Sequence, residues 1–167
     1  MSNIAVLVDD KGTIIGQKDR HELQAGDSVA ITSLWIENSR CEVLLAQRSL
    51  QKRNQPGLWG PGATGTVEPD ESFEDNIVKE AHEEIGLILK NYQELFRVHY
   101  IEGDGIGRYA VWFKTIVDLP LESFILQEGE VDEVRWISKD TLNRELSRNP
   151  NGFVTAQGLW QKLLTKT

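Results

Sequence analysis

The chain has 167 residues, with 26 Asp and Glu against 18 Lys and Arg, so its formal net charge is −8. This length fits one ordinary domain with a buried core, and the acidic balance excludes a protein that mainly coats nucleic acid, because neutralising phosphates requires a basic excess. Hydrophobic residues make up 40% and charged residues 26%, which is typical of globular proteins and excludes the collagen-like and disordered classes.

The predicted elements begin with an N-terminal hairpin within about residues 1–27. Its strands are predicted at Ile4–Val8 and Thr13–Gln17, on either side of an Asp-Asp-Lys-Gly turn. Two further apolar runs predict strands at Val29–Ile36 and Val43–Ala46. The stretch from residue 48 to residue 67 is rich in Gly and Pro, and we predict a shaped loop without regular structure there.

The second half of the chain alternates helices and strands. A helix is predicted at Ser72–Ile85, because acids fill its first turn and Gly86 follows its last residue. The remaining elements are predicted as strands at Glu94–Ile101, Arg108–Val117 and Val131–Ile137, a helix from the cap Ser138 to Arg148, and a last helix at Thr155–Leu164. Several strands in hairpin-like order with few helices favour a mixed sheet flanked by helices.

The cysteine content and the apolar runs indicate a compartment. Cys41 is the one cysteine, and a single thiol cannot form an internal disulfide. The apolar run Ile4–Val8 is too short for a signal peptide, and no run approaches the roughly 18 apolar residues of a membrane span. The sequence therefore predicts a soluble cytoplasmic protein that does not bind membranes or nucleic acid.

Three carboxylates share one side of the predicted Ser72–Ile85 helix. At about 100° per residue, Glu84 lies about 40° to one side of Glu80 and Glu83 about 60° to the other. Like charges this close repel each other, so a bound cation would explain them, and oxygen ligands favour Mg²⁺ or Mn²⁺. The alternative is a solvated acidic face, but the preceding Gly-rich loop, whose backbone can approach a metal or phosphate, weighs against it.

The segment from residue 65 to 87, GTVEPDESFEDNIVKEAHEEIGL, resembles the signature of the Nudix hydrolases. That signature reads Gly, five residues, Glu, seven residues, Arg-Glu-aliphatic, one residue, Glu-Glu, one residue, Gly-aliphatic. The matching positions are Gly65, Glu71, Glu80, Ala81, Glu83, Glu84, Gly86 and Leu87. The resemblance implies one Nudix domain over residues 1–167, with an α/β fold arranged as an α/β/α sandwich around a mixed sheet.

The resemblance also implies the roles of the residues in this segment. It assigns Glu80, Glu83, Glu84 and the Gly65 carbonyl to an Mg²⁺ (or Mn²⁺) site, and makes Glu84 or Glu83 the candidate to activate water. The implied reaction is hydrolysis of a pyrophosphate bond in a small-molecule diphosphate or nucleotide, usually a nucleoside diphosphate linked to another group. Neutralising Glu83 or Glu84 is then expected to remove most turnover.

Lys79 stands where the signature usually has Arg, and Glu71 would support the site by pairing with it. Lys keeps the positive charge but loses the planar fork that grips a carboxylate with two hydrogen bonds. We therefore expect the contact with Glu71 to be retained but looser.

A second resemblance lies upstream, where LLAQRSLQKRNQPGLWGPGATG is similar to the loop that precedes the Nudix helix in isopentenyl-diphosphate isomerases. Those isomerases need a catalytic Cys followed by Gly-His-Pro, and this chain has Thr64 at the Cys position. His21 matches one upstream isomerase histidine, but Ser28 occupies the place of the second. We therefore favour an isomerase-like architecture with hydrolase chemistry, and keep the isomerase and a non-catalytic nucleotide sensor as alternatives.

Six residues outside the signature are weaker candidates for contact with the substrate. The basic ones could meet phosphate oxygens, the Trp could stack on a base, and the acids could supply a base or a further ligand. Each has an ordinary structural alternative, namely surface charge, core packing or a solvated edge. They are Arg48, Lys52, Arg53, Trp59, Glu130 and Glu133.

The net charge is concentrated in one segment. Eight acids and one base lie between Glu68 and Glu84, so this segment accounts for seven of the eight net negative charges. An acidic loop and helix of this kind can still bind an anionic substrate, because bound cations reverse the local sign of the charge. The sequence is compatible with a homodimer.

Overall fold

The computed structural model describes residues 3–154 and 158–167, and in these ranges nine strands form one sheet accompanied by three α-helices. The strands are β1 (Ile4–Val8), β2 (Ile14–Asp19), β3 (Ser28–Glu37), β4 (Glu42–Arg48), β5 (Trp59–Gly60), β6 (Ala63–Thr66), β7 (Gln93–Ile101), β8 (Gly107–Ile116) and β9 (Val131–Ser138). The helices are α1 (Phe73–Ile85), α2 (Lys139–Arg148) and α3 (Leu159–Lys166). Within the described ranges, no helix combines the length and apolarity needed to cross a membrane.

The predicted strands and helices are present, and most of their ends shift by a residue or two. The start predicted for the last helix, Thr155, lies outside the described residues. The prediction of irregular structure from residue 48 to residue 67 is wrong in part, because β5 and β6 lie there. Their backbone pairs with distant strands, β5 with β4 and β6 with β3, and such tertiary pairing overrides the local Gly and Pro signal.

Strand β3 organises the sheet. It runs parallel to β8 along its whole length, from Ser28 opposite Gly107 to Glu37 opposite Ile116, and antiparallel to β6. β3 and β4 pair at Glu37 and Val43, beside the turn that joins them, and then take different partners, because β4 continues with β9 and β5. The sheet is therefore mixed, and it opens between β3 and β4.

The helices cover both faces of this sheet. Alternate residues of a strand point to opposite faces, and neighbours on β3 accordingly belong to different clusters. Leu34 packs with Ile77 of α1 on one side, whereas Trp35 packs with Leu142 of α2 and Leu163 of α3 on the other. The predicted α/β/α sandwich with a mixed sheet is therefore confirmed.

Local signals in the sequence set both ends of α1. The Ser72 hydroxyl accepts from Asp75 N (3.0 Å) and the Asp75 carboxylate accepts from Ser72 N (3.3 Å), which forms a capping box. At the other end Gly86 has φ 68°, and its N–H donates to the His82 carbonyl, as in a helix stop that only Gly adopts without strain. These caps fix the register in which α1 presents its acids.

The carboxylate of Glu37, 4% exposed at the end of β3, is held by three donors. It accepts from Trp35 Nε1 (2.7 Å), Lys139 Nζ (2.9 Å) and Lys114 Nζ (3.0 Å). Burial alone would raise the pKa of Glu37, but these hydrogen bonds outweigh it and hold the pKa below its ordinary value. Glu37→Gln should cost about 3 kcal/mol in the free energy of unfolding measured with urea, because two lysines lose their partner.

The pH dependence of this contribution follows from the lowered pKa. A carboxyl group with a lowered folded-state pKa stabilises the protein above its unfolded pKa of about 4.5, and this contribution is lost as pH falls through the folded value. Glu94→Gln, which breaks an exposed pair with Arg97 (2.9 Å), is the matched control and should change stability by less than about 1 kcal/mol. Equal losses in the two variants would contradict the prediction.

Candidate functional site

A cavity of about 260 Å³ lies where the sheet opens, between β6, α1 and the β7–β8 hairpin. Charged groups of both signs line it, which suits a ligand that carries negative charge together with a cation. The lining cations are Arg20, Arg48, Lys52 and Arg108, and the lining carboxylates are Glu80, Glu84, Glu102 and Glu130.

Two of these carboxylates, Glu80 and Glu84, project from α1. Glu80 is 6% exposed, and one oxygen of Glu84 accepts a hydrogen bond from Thr64 N (2.9 Å). Burial raises the pKa of Glu80 to about 7 and that of Glu84 to about 8, and repulsion from neighbouring carboxylates adds to both shifts. A bound cation would stabilise both in their charged form, so they are candidate metal ligands.

Gly65 brings backbone against the Glu80 carboxylate. A Cβ atom built on Gly65 would lie 2.2 Å from Glu80 Cγ and 2.5 Å from Oε1, so any other residue would displace the carboxylate. Carboxylates beside the half-buried Gly65 backbone supply the hard oxygen donors that Mg²⁺ and Mn²⁺ prefer. The residues present therefore fit a hard divalent ion.

Glu83 is the third of the carboxylates predicted to share one side of α1, and its position differs from those of Glu80 and Glu84. It is exposed and does not line the cavity. In the described ranges, no group of three or more His, Cys, Asp or Glu side chains is arranged to hold a metal. Side chains of the chain itself would thus contribute Glu80 and Glu84, and the role of Glu83 as a ligand stays a prediction.

Lys79 lies against the acids beside the cavity. Its Nζ is 2.5 Å from Glu71 Oε1 and 3.2 Å from Glu68 Oε2, and Glu80 Oε1 is 3.9 Å away. Burial opposes the charge on Glu71, but the Lys79 hydrogen bond and the Glu68 N–H together hold the pKa of Glu71 below its ordinary value. The predicted contact is therefore present, and it is short where we expected it to be looser.

We expect Lys79→Met to weaken Mn²⁺ binding, measured by isothermal titration calorimetry, by about 10-fold or more. Without the ammonium group, Glu71 and Glu68 would repel each other and Glu80. Lys79→Arg keeps the charge and serves as the control, with affinity close to that of the natural chain. Mn²⁺ affinity that is equal in all three proteins would contradict a role for this cluster in the site.

Three of the six weaker candidates line the cavity. Arg48 does so while its guanidinium donates twice to the Asn54 carbonyl, at 3.0 and 3.2 Å. Lys52 and Glu130 also line it and form an ion pair with each other. Glu130 is close enough to Glu84 to contribute to the raised pKa of Glu84. The structure thus brings two cations and one further acid to the carboxylates of α1.

The other three candidates lie outside the cavity lining. Arg53 and Glu133 are exposed. Trp59 packs on the side of the sheet that α2 and α3 cover, where the Arg135 guanidinium lies 4.2 Å from its ring centroid. The packing alternative for Trp59 therefore agrees with its position, and a role of these three residues in substrate binding stays a prediction.

Several residues of the cavity were not singled out from the sequence. Tyr100 and Arg108 are cross-strand partners in the β7–β8 hairpin, and the Arg108 guanidinium donates to the Glu102 carboxylate (3.0 Å). Burial raises the pKa of Tyr100 to about 12 and that of Glu102 above its usual range. The local sequence signal for these residues is the alternation of side chains along a strand, which places Arg108 and Trp112 on the same face of β8.

Comparisons with known proteins identify the family. The NUDIX domain family matches residues 27–157. The chain is 31% identical to an isopentenyl-diphosphate Delta-isomerase of Paenarthrobacter aurescens, over 95% of this chain and 88% of the relative. It is 27% identical to an uncharacterized Nudix hydrolase of Pseudomonas aeruginosa, over 89% of this chain and 86% of that protein. A crystal structure of a Deinococcus radiodurans protein shares the fold, with a TM-score of 0.77 at 18% identity and 98% coverage of both chains. The chain therefore belongs to the Nudix family.

Proposed function

We propose that this protein is a Mg²⁺- or Mn²⁺-dependent pyrophosphohydrolase that cleaves a small-molecule diphosphate, such as a nucleoside diphosphate linked to another group. One observation carries the proposal. Two carboxylates with raised pKa values, the buried Glu80 and the half-buried Glu84, line a cavity that is also lined by Arg48 and Lys52. Carboxylates suit the cation and the basic residues suit the phosphates, so the two requirements of the reaction meet in one place.

The chemistry of the reaction explains this arrangement. A diphosphate resists attack by water because its oxygens are negative, and a bound divalent ion neutralises them and lowers the pKa of water. In this chain Glu80, Glu84 and the Gly65 backbone would hold the ion, while Arg48 and Lys52 would orient phosphate oxygens. Glu84 is our candidate to accept the proton of the attacking water, and Glu83 and Glu130 are the alternatives.

An isopentenyl-diphosphate isomerase is the second candidate, because the Paenarthrobacter relative carries that name. The residues of the cavity argue against it. Moving a proton across a double bond requires an acid and a base on opposite sides, and Thr64, which lines the cavity, is a poor substitute for a Cys in that role. Ser28 occupies the place of an isomerase histidine, and its hydroxyl forms a hydrogen bond with His99 Nε2 (3.0 Å). We therefore rank hydrolysis first.

The proposal is tested with a panel of diphosphates, in the presence of Mg²⁺ or Mn²⁺ and in excess chelator. The panel includes ADP-ribose, a nucleotide sugar, a nucleoside triphosphate and isopentenyl diphosphate, and release of phosphate-containing products is followed. The isopentenyl diphosphate reaction is also followed by proton NMR, which separates isomerisation from hydrolysis. Metal-dependent cleavage of at least one compound is the expected result.

Two other results would change the conclusion. Metal-dependent conversion of isopentenyl diphosphate to its isomer, without phosphate release, would establish the isomerase. Tight binding of one panel member with no turnover under any condition would establish a nucleotide sensor. In either case the pyrophosphohydrolase proposal fails.

A further inference from the structure

A buried polar pair lies between the sheet and α1, next to the site. Thr32 of β3 and Asn76 of α1 are both 0% exposed, and the Thr32 hydroxyl donates to Asn76 Oδ1 (2.5 Å). Burying an amide is unfavourable unless its hydrogen bonds are made, and Asn forms helices less well than Ala. Neither packing nor helix formation accounts for Asn at this position.

The amide nitrogen of Asn76 faces the acids of the site. Nδ2 donates to Glu71 Oε2 (2.9 Å) and to the Thr66 carbonyl (3.2 Å), with a longer contact to Glu80 Oε1 (3.4 Å). All three partners are acceptors, so turning the amide around would place Oδ1 against three oxygens. On the opposite side, the Thr32 hydroxyl, which can donate or accept, donates to Oδ1 in this orientation.

We propose that Asn76 is a positioning residue, which holds the carboxylates of Glu71 and Glu80 in place from the core side, and that Thr32 acts through it. The inference rests on the proposed function in one respect, which is that Glu80 binds the divalent ion. The contact with Oε1 restrains the Glu80 carboxylate, which would help to hold the ion, and the bond to the Thr66 carbonyl ties the Gly65 segment to α1. Groups that orient metal ligands in this way commonly change metal affinity by about 10-fold or more.

The test compares three variants of the full chain with the natural protein, using Mn²⁺ alone as the probe in isothermal titration calorimetry. Asn76→Ala removes the amide, and Thr32→Val removes the hydroxyl that hydrogen-bonds to it. Thr115→Val is the matched control, because Thr115 is a buried strand residue whose hydroxyl donates to the Asn91 carbonyl (2.6 Å) away from the cavity. All three variants should lose a few degrees of Tm, about 2–6 °C, from one broken buried hydrogen bond.

Mn²⁺ affinity then separates positioning from structure. We expect about 10-fold weaker binding for Asn76→Ala, about 3-fold weaker for Thr32→Val, and unchanged binding for Thr115→Val. With an active diphosphate, Asn76→Ala should lower kcat more than it raises KM. Natural Mn²⁺ affinity in both site variants, despite their lowered Tm, would overturn the proposal, because the pair would then be purely structural.

If the natural chain itself does not bind Mn²⁺, the metal part of the proposed function fails, and a second measurement decides on Asn76. A crystal structure of Asn76→Ala shows whether the Glu80 carboxylate still lies against Gly65. A shifted or disordered Glu80 side chain supports the positioning role. An unmoved Glu80 overturns it.

Discussion

Glu84→Gln is expected to reduce metal-dependent turnover of a diphosphate by at least about 100-fold, while the fold is retained. Glu84 lies in the cavity and is the candidate both to hold the ion and to accept a proton from water. The neutral amide of Gln is a weaker ligand for the ion and cannot accept the proton, but it fills the same space and can still accept the hydrogen bond from Thr64 N. Since burial already raises the pKa of Glu84 to about 8, a neutral side chain there should leave Tm unchanged or increase it.

Steady-state kinetics and thermal unfolding of three variants check this prediction. Glu74→Gln is the control, because Glu74 is exposed on the same helix and does not line the cavity, and it should keep full turnover. Glu83→Gln tests the role that the family resemblance assigns to an exposed residue, and it too is expected to lose most turnover. If Glu84→Gln and Glu83→Gln both turn over at the natural rate, the site assignment is wrong.

Without a divalent ion, the protein should lose stability as pH rises from about 5 to about 8. Glu80 and Glu84 have folded-state pKa values of about 7 and about 8, above the value of 4.5 for a free Glu side chain. A group with a raised folded-state pKa contributes stability that is complete below its unfolded pKa and is lost as pH rises through the folded value. The loss should amount to a few kcal/mol, because each carboxylate must be charged where little water reaches it.

Addition of Mg²⁺ or Mn²⁺ should restore this stability, and more strongly at pH 8 than at pH 5, because the ion binds the charged form of both groups. Urea unfolding across this pH range, with chelator or with metal, measures both effects. The double substitution of Glu80 and Glu84 by Gln should abolish the pH dependence and the response to metal together. A metal-free protein with constant stability from pH 5 to 8 would contradict the prediction. The Glu37 cluster does not interfere, since its contribution changes only below about pH 4.5.

Binding of a divalent ion to the charged carboxylates of the site also explains how such an acidic chain can bind an anion. Most of the net charge lies between Glu68 and Glu84, and the structure places part of that segment against the cavity. Lys79 pairs with Glu71 and Glu68, and the cavity is also lined by Arg48, the last residue of β4, and by Lys52 in the loop that follows. The remaining charge on Glu80 and Glu84 is what a divalent ion would balance.

The sequence by itself determined the family signature, the position of α1 and the order of nearly all the elements. These depend on local physics, because a capping box, a Gly stop and a period of 3.6 or 2 residues act within a few positions of the chain. The spacing of Glu80, Glu83 and Glu84 also follows from helical geometry alone. A local pattern, however, does not predict which of the three carboxylates on one side of α1 is buried.

The tertiary structure decided which of these carboxylates is buried and which residues line the cavity. Glu80 is buried and Glu83 is exposed because β6 packs over one side of α1, and β6 exists only through its pairing with β3. The β7–β8 hairpin brings Tyr100 and Arg108 to the site, and Thr32, in a distant strand, hydrogen-bonds to Asn76 from the side opposite the acids. Burial, pKa shifts and cross-strand contacts are properties of packed neighbours far apart in sequence, so no pattern along the chain could predict them.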